Sequence, residues 1–154
     1  MKQVTLITDG SCIGNPGPGG WAFILRHGEC SKEDAGGCAD TTNNRMEIQA
    51  AIEGLRALKE PSEIKLISDS QYLLNGVTSW RHKWRKNGWM KKRRVKTYPL
   101  ANADLWQALD ELAEKHAISG EWVKGHSGHP DNERCNDLAE AQASKFAASL
   151  GGTV

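Results

Sequence analysis

Residues 41–69 open as Thr41-Thr42-Asn43-Asn44-Arg45-Met46-Glu47 and close as Ile64-Lys65-Leu66-Ile67-Ser68-Asp69, with Pro61 between. The change of period inside this stretch decides the fold. Thr and Asn side-chain oxygens accept from the free N–H groups of a first helical turn, so a helix starts at its head. The run to Lys59 is rich in helix formers, and Pro61 stops it. Ile64 to Ser68 is a short apolar segment of strand length that ends at Asp69. Strand, helix and strand in this order imply a crossover connection, and hence a mixed sheet.

Upstream, Gln3 to Thr8 is rich in Val, Thr, Leu and Ile and reads as a strand ending at Asp9. Gly14-Asn15-Pro16-Gly17-Pro18-Gly19-Gly20 is a dense turn, and it lacks the Gly-Lys-Ser/Thr of a P-loop. Trp21 to Arg26 and Cys30 to Cys38 read as two more strands around Gly28, completing a three-stranded antiparallel meander. Downstream, Gln71 to Asn87 reads as one or two short helices interrupted near Gly76, and Gly88 to Pro99 as a basic irregular stretch. Leu100 to Lys115 is helical, Ile118 to Val123 is the last strand, Gly125 to Asn132 a loop, and Glu133 to Leu150 the final helix. The expected architecture is a three-layer α/β domain: a mixed five-stranded sheet, the meander plus two parallel strands, flanked by helices. It is a single domain over 1–150 with a basic protrusion at about 80–99 and a tail at 151–154.

At 154 residues, 38% hydrophobic and 25% charged, the composition is that of an ordinary soluble domain with its own core. No apolar run approaches the ~20 residues of a membrane span. No signal-peptide core follows Met1, so a cytoplasmic protein without a membrane partner is expected. No apolar patch calls for a protein partner, which favours a monomer. Four cysteines form no C-x-x-C pair, and a zinc site at His126, His129 and Cys135 lacks a fourth ligand at short spacing.

The formal charge of +1 hides a sorting of charge along the chain. Between Asp69 and Asp104 there is no acidic residue, while Arg81, Lys83, Arg85, Lys86, Lys91, Lys92, Arg93, Arg94 and Lys96 supply nine of the 20 basic ones. Eleven basic and 19 acidic residues remain elsewhere, a net of −8. Trp80, Trp84 and Trp89 sit inside the basic segment. Cations interleaved with indoles suit a polyanion that offers phosphates to the charges and sugar or base faces to the rings. A solvated helical face whose Trp residues belong to the core is the alternative.

Asp9 and Asp69 both end strands, where α/β sheets tend to build ligand sites. Glu47 shares a helical face with Ala51, Leu55 and Leu58, so its carboxylate lies on the core-facing stripe. Such a charge is costly to bury unless it is paired or bound to metal. If the three converge they repel one another, and a hard divalent cation relieves the repulsion. Carboxylates sharing Mg²⁺ are the usual apparatus for attack on a phosphodiester, since the metal activates water and stabilises the leaving oxygen.

Five segments in register resemble bacterial ribonuclease H of type 1: Thr8-Asp9-Gly10-Ser11, Gly14 to Gly20, Thr41 to Glu47, Ser68-Asp69-Ser70-Gln71-Tyr72, and Val123-Lys124-Gly125-His126-Ser127-Gly128-His129. The resemblance runs from about Gln3 to Ala143. It implies the ribonuclease H-like fold, and cleavage of the RNA strand of RNA/DNA hybrids with one or two Mg²⁺, Mn²⁺ serving as substitute. The implied reaction is in-line attack of water, leaving 3′-hydroxyl and 5′-phosphate ends. Carried over residue by residue, Asp9, Glu47 and Asp69 match three of four metal-holding carboxylates, and His126 matches the histidine that assists proton transfer or product release. Asn15, Asn43, Asn44 and Gln71 match side chains that contact the hybrid near its minor groove. Trp80, Trp84 and Lys86, with Lys91, Lys92, Arg93 and Arg94 nearby, match the protrusion that grips the DNA strand.

The chain departs from the pattern at the fourth carboxylate, where Arg134-Cys135-Asn136-Asp137-Leu138-Ala139 replaces Arg-Cys-Asp-x-Leu-Ala. On a helical wheel at about 100° per residue, Asn136 lies roughly 95° from the centre of the apolar side and Asp137 roughly 195°. Asn136 therefore takes the catalytic and metal position. Its carbonyl reaches Mg²⁺ without supplying charge, so weakened binding of one metal and reduced activity are expected. The stretch from Trp89 to Leu105 is also a few residues longer than the usual bacterial form. Two alternatives stay open: a hybrid-binding protein silenced at Asn136, and another nuclease of the same fold, such as a resolvase or integrase.

Overall fold

The computed structural model describes residues 1–151. β1 (Lys2–Cys12), β2 (Gly17–His27) and β3 (Cys30–Thr41) form the antiparallel meander, with Leu6 opposite Leu25 and Ile24 opposite Glu33. α1 (Asn43–Arg56) then crosses over, so that β4 (Ser62–Ser68) lies parallel to β1, with Leu6 beside Leu66. β7 (Ala117–Trp122) adds in parallel to β4, giving the order β3-β2-β1-β4-β7. The mixed five-stranded sheet is the expected one.

Alternation along β1 builds the layers. Leu6 faces a cluster with Ile48, Ile52, Leu66, Trp106 and Leu109, under α1 and α4 (Ala103–Ala113). Ile7 faces the opposite way, into a smaller cluster with Ile24, Ile67, Cys135 and Ala139 under α5 (Pro130–Gly151). Burying each Leu or Ile here contributes about 1.5–3 kcal/mol. At the sheet's α5 face, a side chain at Gly20 would run into the Ala139 carbonyl and Gln142, so the glycine lets α5 lie directly on β2. Ion pairs at the surface, Arg26–Asp131 at 2.6 Å and Arg134–Glu33 at 2.8 Å, link α5 to β2 and β3.

Two stretches depart from expectation. Gly17 to Gly20 belongs to β2, paired as far as Gly19 opposite Cys12, because these glycines are chosen for close packing between layers as well as for turning. Gly88 to Pro99 is a β-hairpin, β5 (Met90–Arg93) and β6 (Lys96–Pro99), closed by Arg94 at φ 56° and Val95. Every position of both strands is exposed, so the hairpin carries no apolar-polar alternation by which it could be read.

The interruption expected near Gly76 is a π-helical turn, Gly76–Trp80, between α2 (Gln71–Asn75) and α3 (Arg81–Lys86). A side chain at Gly76 would strike the Trp106 ring. Of the expected tail at 151–154, Gly151 ends α5 and residues 152–154 lie outside the described residues. Among the described residues no helix is long and apolar enough to cross a membrane.

Candidate active site

Three local devices bring the carboxylates together. β1 carries Asp9 into the sheet interior, where its Oδ1 accepts the Gly10 N–H at 2.9 Å. α1 is started by Thr42, whose hydroxyl accepts the Arg45 N–H, and by Asn15, whose Oδ1 accepts the Asn43 N–H at 2.9 Å. Its first turns lie hard against β1: a Cβ on Gly10 would sit 2.6 Å from the Glu47 nitrogen, so only glycine there lets Glu47 reach Asp9. β4 ends at Ser68, just before Asp69, with the Ser68 hydroxyl accepting the Ser70 N–H and Ser70 capping α2. The Asp69 carbonyl accepts the Trp122 indole N–H at 3.0 Å.

One oxygen from each of Asp9, Glu47 and Asp69 lies within 4.8 Å of the other two, in what is the only such cluster among the described residues. Asp9 and Glu47 are 2% and 5% exposed, and Asp9 Oδ2 and Glu47 Oε2 have no hydrogen-bond partner. Burial, and then the charges of Asp9 and Asp69, push the Glu47 carboxyl well above the usual carboxylate range. Burial, and then Asp9, push Asp69 up to about 6, with His126 acting weakly the other way. Buried orphan oxygens and mutual repulsion are what a hard cation with oxygen ligands relieves, so the donor set fits a divalent metal. His126, His129 and Cys135 form no cluster, and Cys135 is buried on the Ile7 carbonyl.

The trio opens into a cleft of about 500 Å³ that Asn15, Asn43, Asn44 and Asn136 also line. Asn136 is half-buried there, while Asp137 is exposed. His126 is exposed on the loop after β7, at φ 58°. Gly125 beside it packs on Asp69, since a Cβ would lie 2.8 Å from Asp69 Oδ2. Gln71 is not in this cleft. It lines a separate groove of about 350 Å³ between α2 and β7, with Thr78, Ser119 and Trp122. Ser11, Cys12 and Ser70 also line the acidic cleft, and nothing in the motifs set them apart; for Ser70 the signal was its helix-capping position.

The basic segment divides. Trp80, Lys83, Trp84, Lys91 and Lys92 line a groove of about 700 Å³, with Trp80 and Trp84 centroids 5.7 Å apart and Trp84 resting on Trp106 at 5.1 Å. Lys86 is exposed outside it, and Arg93 and Arg94 flank a smaller recess of about 550 Å³ with Lys96 and Tyr98 at the hairpin end. Arg81 and Arg85 leave the substrate-facing set: Arg81 bonds Asp110 at 2.8 Å and Arg85 bonds it at 2.6 Å, and both reach Glu114. The other seven cations of the segment have no carboxylate partner among the described residues.

The family model described as RNase H matches residues 1–144. A protein named Ribonuclease H from Chelativorans sp. (strain BNC1) is 53% identical over 152 residues, covering 99% of this chain and 92% of that one. LC9-RNase H1, described as a type 1 RNase H with the type 2 active-site motif, superposes with a TM-score of 0.82 at 31% identity, covering 94% of this chain and 74% of that one. The structure of LC11-RNase H1 in complex with RNA/DNA hybrid shares the fold, with a TM-score of 0.65 at 18% identity over 92% of this chain and 97% of that one. Asp9 does not end its strand as expected, because Gly10 to Cys12 continue the pairing with β2. A carboxylate trio drawn from within β1, from α1 and from the end of β4, in a chain so matched along its length, makes it a member of the RNase H family.

Proposed function

We propose that the chain is an endoribonuclease that hydrolyses the RNA strand of RNA/DNA hybrids, with Asp9, Glu47 and Asp69 holding one or two Mg²⁺, for which Mn²⁺ substitutes. The observation that carries this is the pair of buried, partnerless oxygens, Asp9 Oδ2 and Glu47 Oε2, on two carboxylates that cluster with Asp69. When bound, the metal supplies positive charge that acidifies water and offsets the charge developing on the leaving 3′-oxygen. In-line attack of water breaks the P–O3′ bond and leaves 3′-hydroxyl and 5′-phosphate ends.

The amides of Asn15, Asn43 and Asn44 present donors and acceptors at the rim of the cleft, suited to sugar edges of the minor groove and the 2′-hydroxyl that marks RNA. Gln71 extends that contact from the neighbouring groove. Trp80, Trp84, Lys86, Lys91, Lys92, Arg93 and Arg94 take the DNA strand. His126 moves a proton beside Asp69 or releases product, a role that suits an exposed imidazole; replacing it by Ala lowers turnover more than hybrid affinity. Asn136 offers its carbonyl in place of a carboxylate, so the site binds one metal weakly and cleavage is attenuated. The LC11-RNase H1 complex supports the choice of substrate.

The test is a gel assay of labelled RNA/DNA hybrid, double-stranded RNA and double-stranded DNA, with and without Mg²⁺ or Mn²⁺. Metal-dependent cleavage confined to the RNA strand of the hybrid is expected. Cleavage of all three alike, or hybrid binding without turnover at any metal concentration, overturns the proposal.

A further inference from the structure

We infer that the Tyr72 hydroxyl donates a hydrogen bond to a phosphate oxygen of the strand held beside Trp80 and Trp84, fixing that strand's register; the inference rests on the hybrid reading above. A phenolic oxygen offers two acceptor positions and one O–H. Both acceptor positions are taken, by Trp106 Nε1–H at 2.9 Å and by Asn102 Nδ2–H at 3.2 Å. An indole N–H only donates. The Asn102 amide is oriented as well, because its Oδ1 accepts from Arg45 Nη1 at 3.4 Å. The Tyr72 O–H is thereby left as a donor, and no acceptor meets it among the described residues.

The chemistry of the groove names the acceptor. Tyr72 lines it together with Trp80, Lys83, Trp84, Lys91 and Lys92, and these lysines have no carboxylate partner among the described residues. An acceptor drawn to such a place is anionic, and in a nucleic acid it is a phosphate oxygen. Lysines attract that phosphate as point charges on flexible stems. Tyr72 adds direction, since its ring is held edge-on to Trp106 at 5.4 Å and its oxygen is pinned by two incoming bonds.

The same network reaches the cleft. Arg45 forks onto Asp104 at 2.9 and 2.7 Å and holds Asn102. Arg45 also sits in the first turn of α1, next to Asn43 and Asn44 of the cleft rim. A phosphate positioned by Tyr72 is thus tied, through Asn102 and Arg45, to the place where the other strand is cut. Tyr72 is a positioning residue for the substrate.

A double-mutant cycle tests this, pairing Tyr72→Phe with hybrids in which single DNA-strand phosphates are replaced by methylphosphonates. Wild-type protein should bind about tenfold more weakly when one particular phosphate is neutralised, the scale of a hydrogen bond to a charged group. Tyr72→Phe should bind unmodified hybrid about tenfold more weakly, lose little more at that position, and keep the wild-type salt dependence. Equal losses for both proteins at every position, or unchanged binding by Tyr72→Phe, overturn the inference while leaving the hybrid reading intact; failure of the wild type to bind hybrid overturns both. Because Tyr72→Phe strips Trp106 and Asn102 of their acceptor, the unsubstituted side chain gives a second reading. With Tyr98→Phe leaving one tyrosine, the ¹³Cζ resonance of Tyr72 should shift on binding intact hybrid and not on binding the hybrid neutralised at the sensitive phosphate; the same shift with both sinks the inference.

Discussion

At the scale of single residues, the acidic cluster stores a repulsion that protons or a cation can relieve. Asp69 rises to about 6 from an ordinary 3.8 through burial and Asp9, and Glu47 moves the same way. In the unfolded chain both regain ordinary values, so between about pH 4 and 6 the folded state binds more protons. That contribution is fully present below the unfolded value and is lost as pH rises through about 6. His116, lowered by burial, works against it, and an Asp69→Asn variant keeps His116 while removing the Asp69 contribution. In EDTA, melting temperature should therefore gain more between pH 7 and pH 5 in the wild type than in Asp69→Asn, and saturating Mg²⁺ should erase the difference. Identical pH profiles for the two proteins in EDTA would mean that the carboxylates are not crowded. Asn136→Asp adds a fourth charge to the same cleft. It should lower the metal-free melting temperature, enlarge the upward shift produced by Mg²⁺, and raise the cleavage rate at limiting Mg²⁺. An unchanged rate and shift would remove residue 136 from the metal site.

At the scale of elements, α3 and α4 are clamped by a charge cluster, buried at Arg81 and Asp110, inside the basic segment. Arg81 is 7% exposed, gives its Nε–H to the Val77 carbonyl at the π-helical turn, and meets Asp110, itself 6% exposed. Arg81→Ala leaves Asp110 only the half-exposed Arg85 and frees the Val77 carbonyl, and should cost about 1.5–3 kcal/mol in urea denaturation. The salt dependence of hybrid binding should not change; a flatter slope would return Arg81 to the interface. Nothing local marked this clamp, since Arg81 and Asp110 are 29 positions apart and sequence alone gives both arginines to the basic arm. The crossover was readable because capping residues, Pro61 and a change of period lie next to one another along residues 41–69. Glu47 was readable because a carboxylate interrupts an apolar stripe, and the placing of Asn136 beside Asp137 followed from the wheel of α5. The hairpin at 90–99 was not readable, because its strands bury nothing, and Arg93 stands directly opposite Lys96, a like-charge pairing that weakens a sheet. Trp122 and Tyr72 were hidden for a further reason: their roles lie in hydrogen bonds reaching 53, 30 and 34 positions along the chain.

Over the whole molecule, the net charge of +1 is a sum of two regions of opposite sign. The acidic cleft and the grooves of the basic arm share no lining residue, so one should be adjustable without the other. The seven cations that remain after Arg81 and Arg85 are set aside have no internal counter-charge among the described residues, and the hairpin places Lys91, Lys92, Arg93 and Arg94 on strands that are exposed throughout or at the turn between them. Such an arm repels itself in the free protein and gains most when a polyanion arrives, by releasing counterions from the phosphates it meets. Replacing these four by Gln should weaken hybrid binding and reduce the slope of log Kd against log salt by about 0.9 for each phosphate that is no longer neutralised. The melting-temperature shift produced by Mg²⁺ should stay at its wild-type value, because the metal's ligands are untouched. Titrations at several salt concentrations, set beside melts with and without Mg²⁺, measure both quantities. An unchanged salt slope takes the hairpin out of the interface, whereas a changed metal shift means that the cleft feels the arm's field and the two halves of the charge distribution do not act independently.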